Sequence, residues 1–120
     1  MKIKETRSPG GQAGAMRSER WREDEARERV EVVLEGEIDH HRALELRTEL
    51  DELIMQRRPA VLCLDMQGIG FMDSSGLGLV MGRYKKLCER GGELVIRKPS
   101  ASVRRMLTMA AMERFVRIEI

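Results

Sequence analysis

Aromatic side chains are scarce in this sequence of 120 residues: one Trp, one Tyr and two Phe, 3% of the whole. A core built from it must be filled by Leu and by the nine Met instead. Charge of a single sign is also missing, because 22 Lys and Arg face 20 Asp and Glu, for a formal net charge of +2. Nucleic-acid binding calls for a basic excess gathered on one face, so this balance disfavours that role. No apolar run approaches the roughly 20 residues that span a bilayer. The basic residues of the first stretch, Met1 to Gly14, lead into no apolar segment of the secretory kind. Cysteine is limited to Cys63 and Cys88, both inside apolar patterns, which reads as two buried small hydrophobes rather than a disulfide. These absences exclude a membrane-spanning or secreted, disulfide-stapled protein and point to the cytoplasm.

What remains is a composition of 42% hydrophobic and 35% charged residues, typical of one soluble domain. Residues 1–18, with Ser8-Pro9-Gly10-Gly11 near their centre, bury little and read as a flexible N-terminal tail before a domain of residues 19–120. From Arg17 to Glu31 charges of both signs alternate, as on a solvated face or edge element, with Trp21 the one side chain worth burying.

Ordered structure becomes legible at Val30, where Val30, Val32 and Leu34 alternate with charge as in a strand with one wet face. Gly36 is expected to end that strand, and Asp39 to cap a helix carrying Ala43, Leu46, Leu50, Leu53 and Ile54 at helical spacing. Val61 to Leu64 reads as a buried strand, followed by a loop from Gly68 to Phe71. A second helix is predicted over residues 75–89, with Leu77, Val80, Met81, Tyr84, Leu87 and Cys88 as its apolar stripe and Gly91-Gly92 as its stop. Leu94 to Ile96 forms another strand, Pro99-Ser100 turns into a helix with Val103, Met106, Leu107 and Ala110, and Phe115 to Ile120 is strand-like again. This alternation predicts an α/β fold with a small, mostly parallel sheet.

The stretch Phe71-Met72-Asp73-Ser74-Ser75-Gly76-Leu77-Gly78 carries most of the chemical information. It joins a strand's carboxyl end to a helix, where open α/β sheets meet ligands and partners. Asp73, Ser74 and Ser75 are all competent helix caps, and the helix N-terminus favours an anion. Two glycines in one helical turn cost about 1 kcal/mol each against Ala, which suggests close approach of another backbone. A merely capped, Gly-rich first turn would show the same spacing. Catalytic motifs do not fit. A nucleophile elbow lacks its first Gly around either Ser74 or Ser75. A phosphate-binding loop lacks its Lys, since none occurs between Lys4 and Lys85. Gly68-Ile69-Gly70 begins a dinucleotide fingerprint, but Asp73 stands in place of the third Gly. His40-His41 has no companion spacing of a metal site.

Taken together, Gly36-Glu37-Ile38-Asp39-His40-His41, the Asp73-Ser74-Ser75-Gly76-Leu77-Gly78 stretch, Gly82-Arg83-Tyr84-Lys85 and Gly91-Gly92-Glu93 resemble bacterial anti-sigma factor antagonists of the STAS type, nearest to those of the sporulation sigma F pathway. The resemblance runs from about Val30 to Ile120. It implies a STAS fold with helices mainly on one sheet face and no enzymatic activity, cofactor or metal. It further implies binding to an anti-sigma factor that is also an ATP-dependent serine kinase, so that the sigma factor is released. Phosphorylation of the first serine of the motif, Ser74, would switch the protein off, and a serine phosphatase would restore it. Asp39, Asp73, Ser74, Ser75, Gly76, Leu77 and Gly78 are the positions implied to meet the partner. A C-terminal helix common in such proteins has no counterpart before Ile120. Antagonism in a stress-response sigma pathway, or service as the STAS subunit of a lipid-transport complex, would share these features.

Overall fold

Alternating β-branched and leucine side chains give the chain its strands. The computed structural model describes residues 1–6 and 28–120. Five strands form one sheet in the order β1 (Lys2–Thr6), β2 (Arg29–Ile38), β3 (Val61–Met72), β4 (Glu93–Arg97) and β5 (Arg117–Glu119). Strands β2 to β5 run parallel and β1 pairs with β2 in the antiparallel sense. The helices α1 (His40–Arg57), α2 (Ser74–Glu89) and α3 (Ala101–Met109) supply the crossovers, and a 3-10 turn, Met112–Arg114, precedes β5. Since strand order follows chain order, right-handed crossovers put all three helices over the same face.

Side-chain alternation sorts the two faces. Val30, Val32, Leu34, Leu62, Leu64, Met66, Leu94 and Ile96 point to the helices and join one apolar cluster with Leu46, Leu50, Ile54, Val80, Leu87, Val103 and Leu107. The other face carries Glu31, Cys63, Val95 and Arg117 in one lateral row of the register. Ion pairs tie strands together on that side: Arg97–Glu31 at 2.6 Å, Arg29–Glu119 at 3.1 Å and Arg117–Glu93 at 3.2 Å.

Several expectations are corrected here. Residues 2–6, read as part of a flexible tail, form the edge strand β1, because their backbone completes hydrogen bonds that β2 leaves open on that side. Trp21 and the rest of residues 7–27 lie outside the described residues. Gly36 does not end β2, and residues 68–71 are not a loop. Both segments stay paired, Gly36 with Ile69 and Glu37 with Phe71, across register shifts at Val33/Glu35 and Gly36/Glu37. Glycine here marks a bulge rather than a terminus: Gly36 adopts φ +95°, and a Cβ on Gly68 would press on Leu34 O at 3.2 Å.

The α1 stripe is as expected, with Ala43, Leu46, Leu50, Leu53 and Ile54 buried. The α2 stripe is rotated. Gly76, Leu79, Val80, Arg83 and Leu87 are buried, whereas Leu77, Met81 and Tyr84 lie half-buried at the cluster's margin. The last helix buries Val103 and Leu107, and Phe115 precedes β5 instead of joining it, its ring 5.5 Å from that of Tyr84.

The two thiols differ as well. Cys63 is buried and its pKa is pushed up to about 11, chiefly by desolvation, while Cys88 is exposed. A thiolate is the reactive species, so access and acidity both protect Cys63. In the native protein at pH 8, iodoacetamide should add one carbamidomethyl group, on Cys88, with a second appearing only in denaturant. Because the unfolded Cys63 thiol ionises near pH 9 and the folded one does not until about pH 11, stability should fall as pH rises through that interval.

Candidate functional site

Strands β2 and β3 end side by side, with Ile38 and Met72 paired in register. Each is followed by an aspartate that caps a helix. Asp39 (φ −96°, ψ −175°) accepts a hydrogen bond from Arg42 N at 2.8 Å. Asp73 (φ −97°, ψ −173°) accepts one from Ser75 N, also at 2.8 Å. Two aspartate caps thus stand in adjacent positions, Asp39 engaging the amide three residues on and Asp73 the amide two residues on, each worth about 1 kcal/mol to its helix. The two are joined by the backbone, since Asp73 N donates to Ile38 O at 3.1 Å.

This geometry places the residues singled out in the sequence. Asp39 and Ser74 are exposed, Asp73, Ser75 and Leu77 half-buried, Gly76 buried and Gly78 exposed. Ser74 begins α2, one position beyond the capping Asp73, so its hydroxyl is not engaged in capping. Ser75 Oγ lies 3.5 Å from His40 Nδ1, which links the starts of the two helices. Phe71, 50% exposed, adds an apolar side chain at the end of β3. Asp39 and Asp73 place two carboxylates at neighbouring strand ends, around a free hydroxyl at a helix N-terminus. Such an arrangement can accept a phosphoryl group on oxygen, held by the positive end of α2. The histidine contact at this edge goes to Ser75 and not to Ser74. Among the described residues no group of three or more His, Cys, Asp and Glu is placed to hold a metal ion.

The glycines of α2 divide into two kinds. A Cβ on Gly76 would overlap Cγ and Sδ of the buried Met72, so this glycine lets α2 start hard against the end of β3. A Cβ on Gly78 or Gly82 would meet nothing within 4 Å. Among the described residues these two serve no packing.

Sequence reasoning named Arg83 within the resemblance but assigned it no role. Arg83 is 3% exposed and its Nε lies 2.9 Å from Oδ1 of Asp51 on α1. The pair is close enough for ionic attraction but poorly aligned for a hydrogen bond, which leaves Nε, Nη1 and Asp51 Oδ1 without hydrogen-bond partners. Burial is the main influence lowering the Arg83 pKa; Asp51 opposes it and Arg47 adds to it. The signal was present: Leu79, Arg83 and Leu87 recur every four residues, so a cation occupies the middle of the buried stripe.

Gly76→Ala should destabilise the protein by about 1–3 kcal/mol through overpacking against Met72. Gly78→Ala and Gly82→Ala should each stabilise it, by up to about 1 kcal/mol of helix propensity. Urea unfolding followed by circular dichroism distinguishes the two signs.

Comparison with known proteins agrees with this geometry. A STAS domain is matched over residues 22–119. The anti-sigma F factor antagonist of Paenibacillus polymyxa is 40% identical over 81 residues, covering 68% of this chain and 69% of that protein. The anti-sigma-B factor antagonist of Bacillus subtilis is 30% identical over 89 residues, covering 74% and 80%. Among solved structures, the anti-sigma factor antagonist SpoIIAA in its unphosphorylated form superposes with a TM-score of 0.69 at 31% identity, over 78% of this chain and 82% of the other. The phosphorylated form of the same Bacillus cell-fate determinant gives 0.63 at 30% identity, over 78% and 85%. The α/β fold expected from the alternation of elements is the one these relatives share. This chain belongs to the STAS-domain family.

Proposed function

We propose that the protein is an anti-sigma factor antagonist that works by binding, and that phosphorylation of Ser74 turns it off. The observation that carries this reading is the free, exposed hydroxyl of Ser74 at the first position of α2, flanked by a capping carboxylate and standing at the carboxyl edge of the sheet. Relatives named as anti-sigma factor antagonists, one of them solved with and without phosphate, support it. The higher identity to the sigma F antagonist than to the sigma B antagonist favours a partner of the sporulation type.

In this reading the unphosphorylated surface around Asp39, Asp73, Ser74, Ser75, Leu77 and Gly78 docks on an anti-sigma factor and frees its sigma factor for transcription. Gly76 acts from behind, by letting α2 sit against Met72. The anti-sigma factor, as an ATP-dependent serine kinase, phosphorylates Ser74, and a serine phosphatase reverses the reaction in the cytoplasm. A phosphate adds about −1.5 to −2 charges beside Asp73 and Asp39. Burying that charge against a partner costs desolvation and like-charge repulsion. A loss of about 3 kcal/mol lowers affinity more than a hundredfold. The positive end of α2 stabilises the phosphate where it is, so the backbone need not move.

Incubation with the cognate anti-sigma kinase and Mg-ATP, followed by peptide mass mapping, should find one phosphate, on Ser74. The modified protein should bind the kinase at least a hundredfold more weakly with an unchanged far-ultraviolet dichroism spectrum. Ser74→Ala should bind and resist modification, because Asp73 rather than Ser74 caps the helix. Phosphate on Ser75 alone, or an Ser74→Asp variant that binds as tightly as the parent, would refute the switch.

A further inference from the structure

Between α1 and α2 lies a groove of about 430 Å³, with His40, Leu44 and Arg47 on one wall and Gly78, Gly82 and Arg83 on the other. The first three recur at intervals of four and three residues, so α1 turns one face to it. Three properties of this groove are unexplained by the packing of the chain itself. Its glycines carry open space where side chains would stand. Leu44 is 50% exposed within it. Its buried cation is incompletely satisfied, since among the described residues Nε and Nη1 of Arg83 have no hydrogen-bond partner although the residue is almost wholly enclosed.

Buried polar donors are normally hydrogen-bonded, and Nη1 of Arg83 is not, although its Nε stands in ion-pair range of Asp51. Asp51 offers one negative charge at 2.9 Å from Arg83. Arg47 places a second positive charge on the opposite wall, near enough to perturb Arg83, and forms no ion pair with another described residue. Asp51 neutralises Arg83 alone, and the Arg47 guanidinium has no carboxylate partner among the described residues. A second carboxylate balances Arg47, and the planar fork of arginine suits it. The steric requirements are equally specific. Two bare glycines one turn apart let a rod-like backbone come close, and Leu44 gives it an apolar side to rest on.

We propose that the groove between α1 and α2 receives a helix of the anti-sigma factor, fastened by one of its Asp or Glu carboxylates between Arg47 and Arg83. The identity of the partner rests on the antagonist reading above; the preference for a carboxylate rests on the groove alone. The groove opens beside Ser75, so this contact and the Ser74 switch belong to one continuous surface.

Two measurements on the full chain test the proposal separately from that reading. The first titrates acetate into protein with nitrogen-15 arginine and glycine, against chloride at matched ionic strength. The Nε–H signals of Arg47 and Arg83 and the amides of Gly78 and Gly82 should shift along a saturable curve with acetate only, and the curve should vanish in Arg47→Gln. Absence of saturation, or an equal response at Arg104 and Arg105 on α3, overturns the carboxylate receptor. Inorganic phosphate binding tenfold more tightly than acetate overturns the choice of carboxylate. The second measures affinity for the anti-sigma factor. Arg47→Gln and Gly82→Leu should each weaken it tenfold or more while melting no lower than the parent. Unchanged affinity in both variants overturns the docking role and leaves the antagonist reading standing. A parent chain that saturates with acetate but binds no anti-sigma factor supports the receptor and removes the antagonist reading.

Discussion

The pairing of β2 with β3 determines where everything else can go. These two strands continue well past the point where β4 leaves the sheet, held by parallel hydrogen bonds through two register shifts until Ile38 and Met72 lie side by side. Only then do the two aspartate caps fall on neighbouring positions, and only then does the Asp73 amide meet the Ile38 carbonyl. A slip of one residue would turn Ile38 and Met72 out of the core and carry Asp39 or Asp73 inward. The glycines in this ribbon make the shifts possible, Gly36 by adopting a left-handed backbone and Gly68 by leaving room for Leu34 O.

On this frame, local chemistry and global packing agree at most positions. The caps are strong residues in the right backbone conformation, and the buried stripe of α1 falls at helical spacing over the sheet. The disagreement is concentrated on α2. Its middle carries a buried arginine with unsatisfied donors and two glycines that the chain does not need for its own packing. Local rules tend to be broken where a protein must meet something else. In this chain the breach lies next to the serine hydroxyl.

Much of this was legible in the sequence. The α1 stripe, the Asp39 cap and the parallel alternation follow from spacing alone, because period and capping are local properties. Gly36 and the Gly68–Phe71 segment were misread because glycine in isolation signals a break, and only pairing with another strand makes it a bulge. The α2 stripe was misread by one position because arginine is seldom buried, so Arg83 was not counted among core residues. Its burial depends on Asp51, 32 positions earlier in the chain, which no local window contains. The edge strand Lys2–Thr6 was missed for a similar reason: five residues of mixed polarity become a strand only when β2 offers its free edge.

The unequal access of the two sulfurs has a practical side. Cys88 sits near the far end of α2, about 21 Å along the helix from Ser74 at 1.5 Å per residue, whereas Cys63 is enclosed under the sheet's ionic face. A fluorophore or spin label attached to the native chain without any engineering would ride on the same rigid rod as the serine while standing clear of it. The molecule thus carries its own reporter position, from which the arrival and departure of a partner at the other end of α2 can be watched in real time.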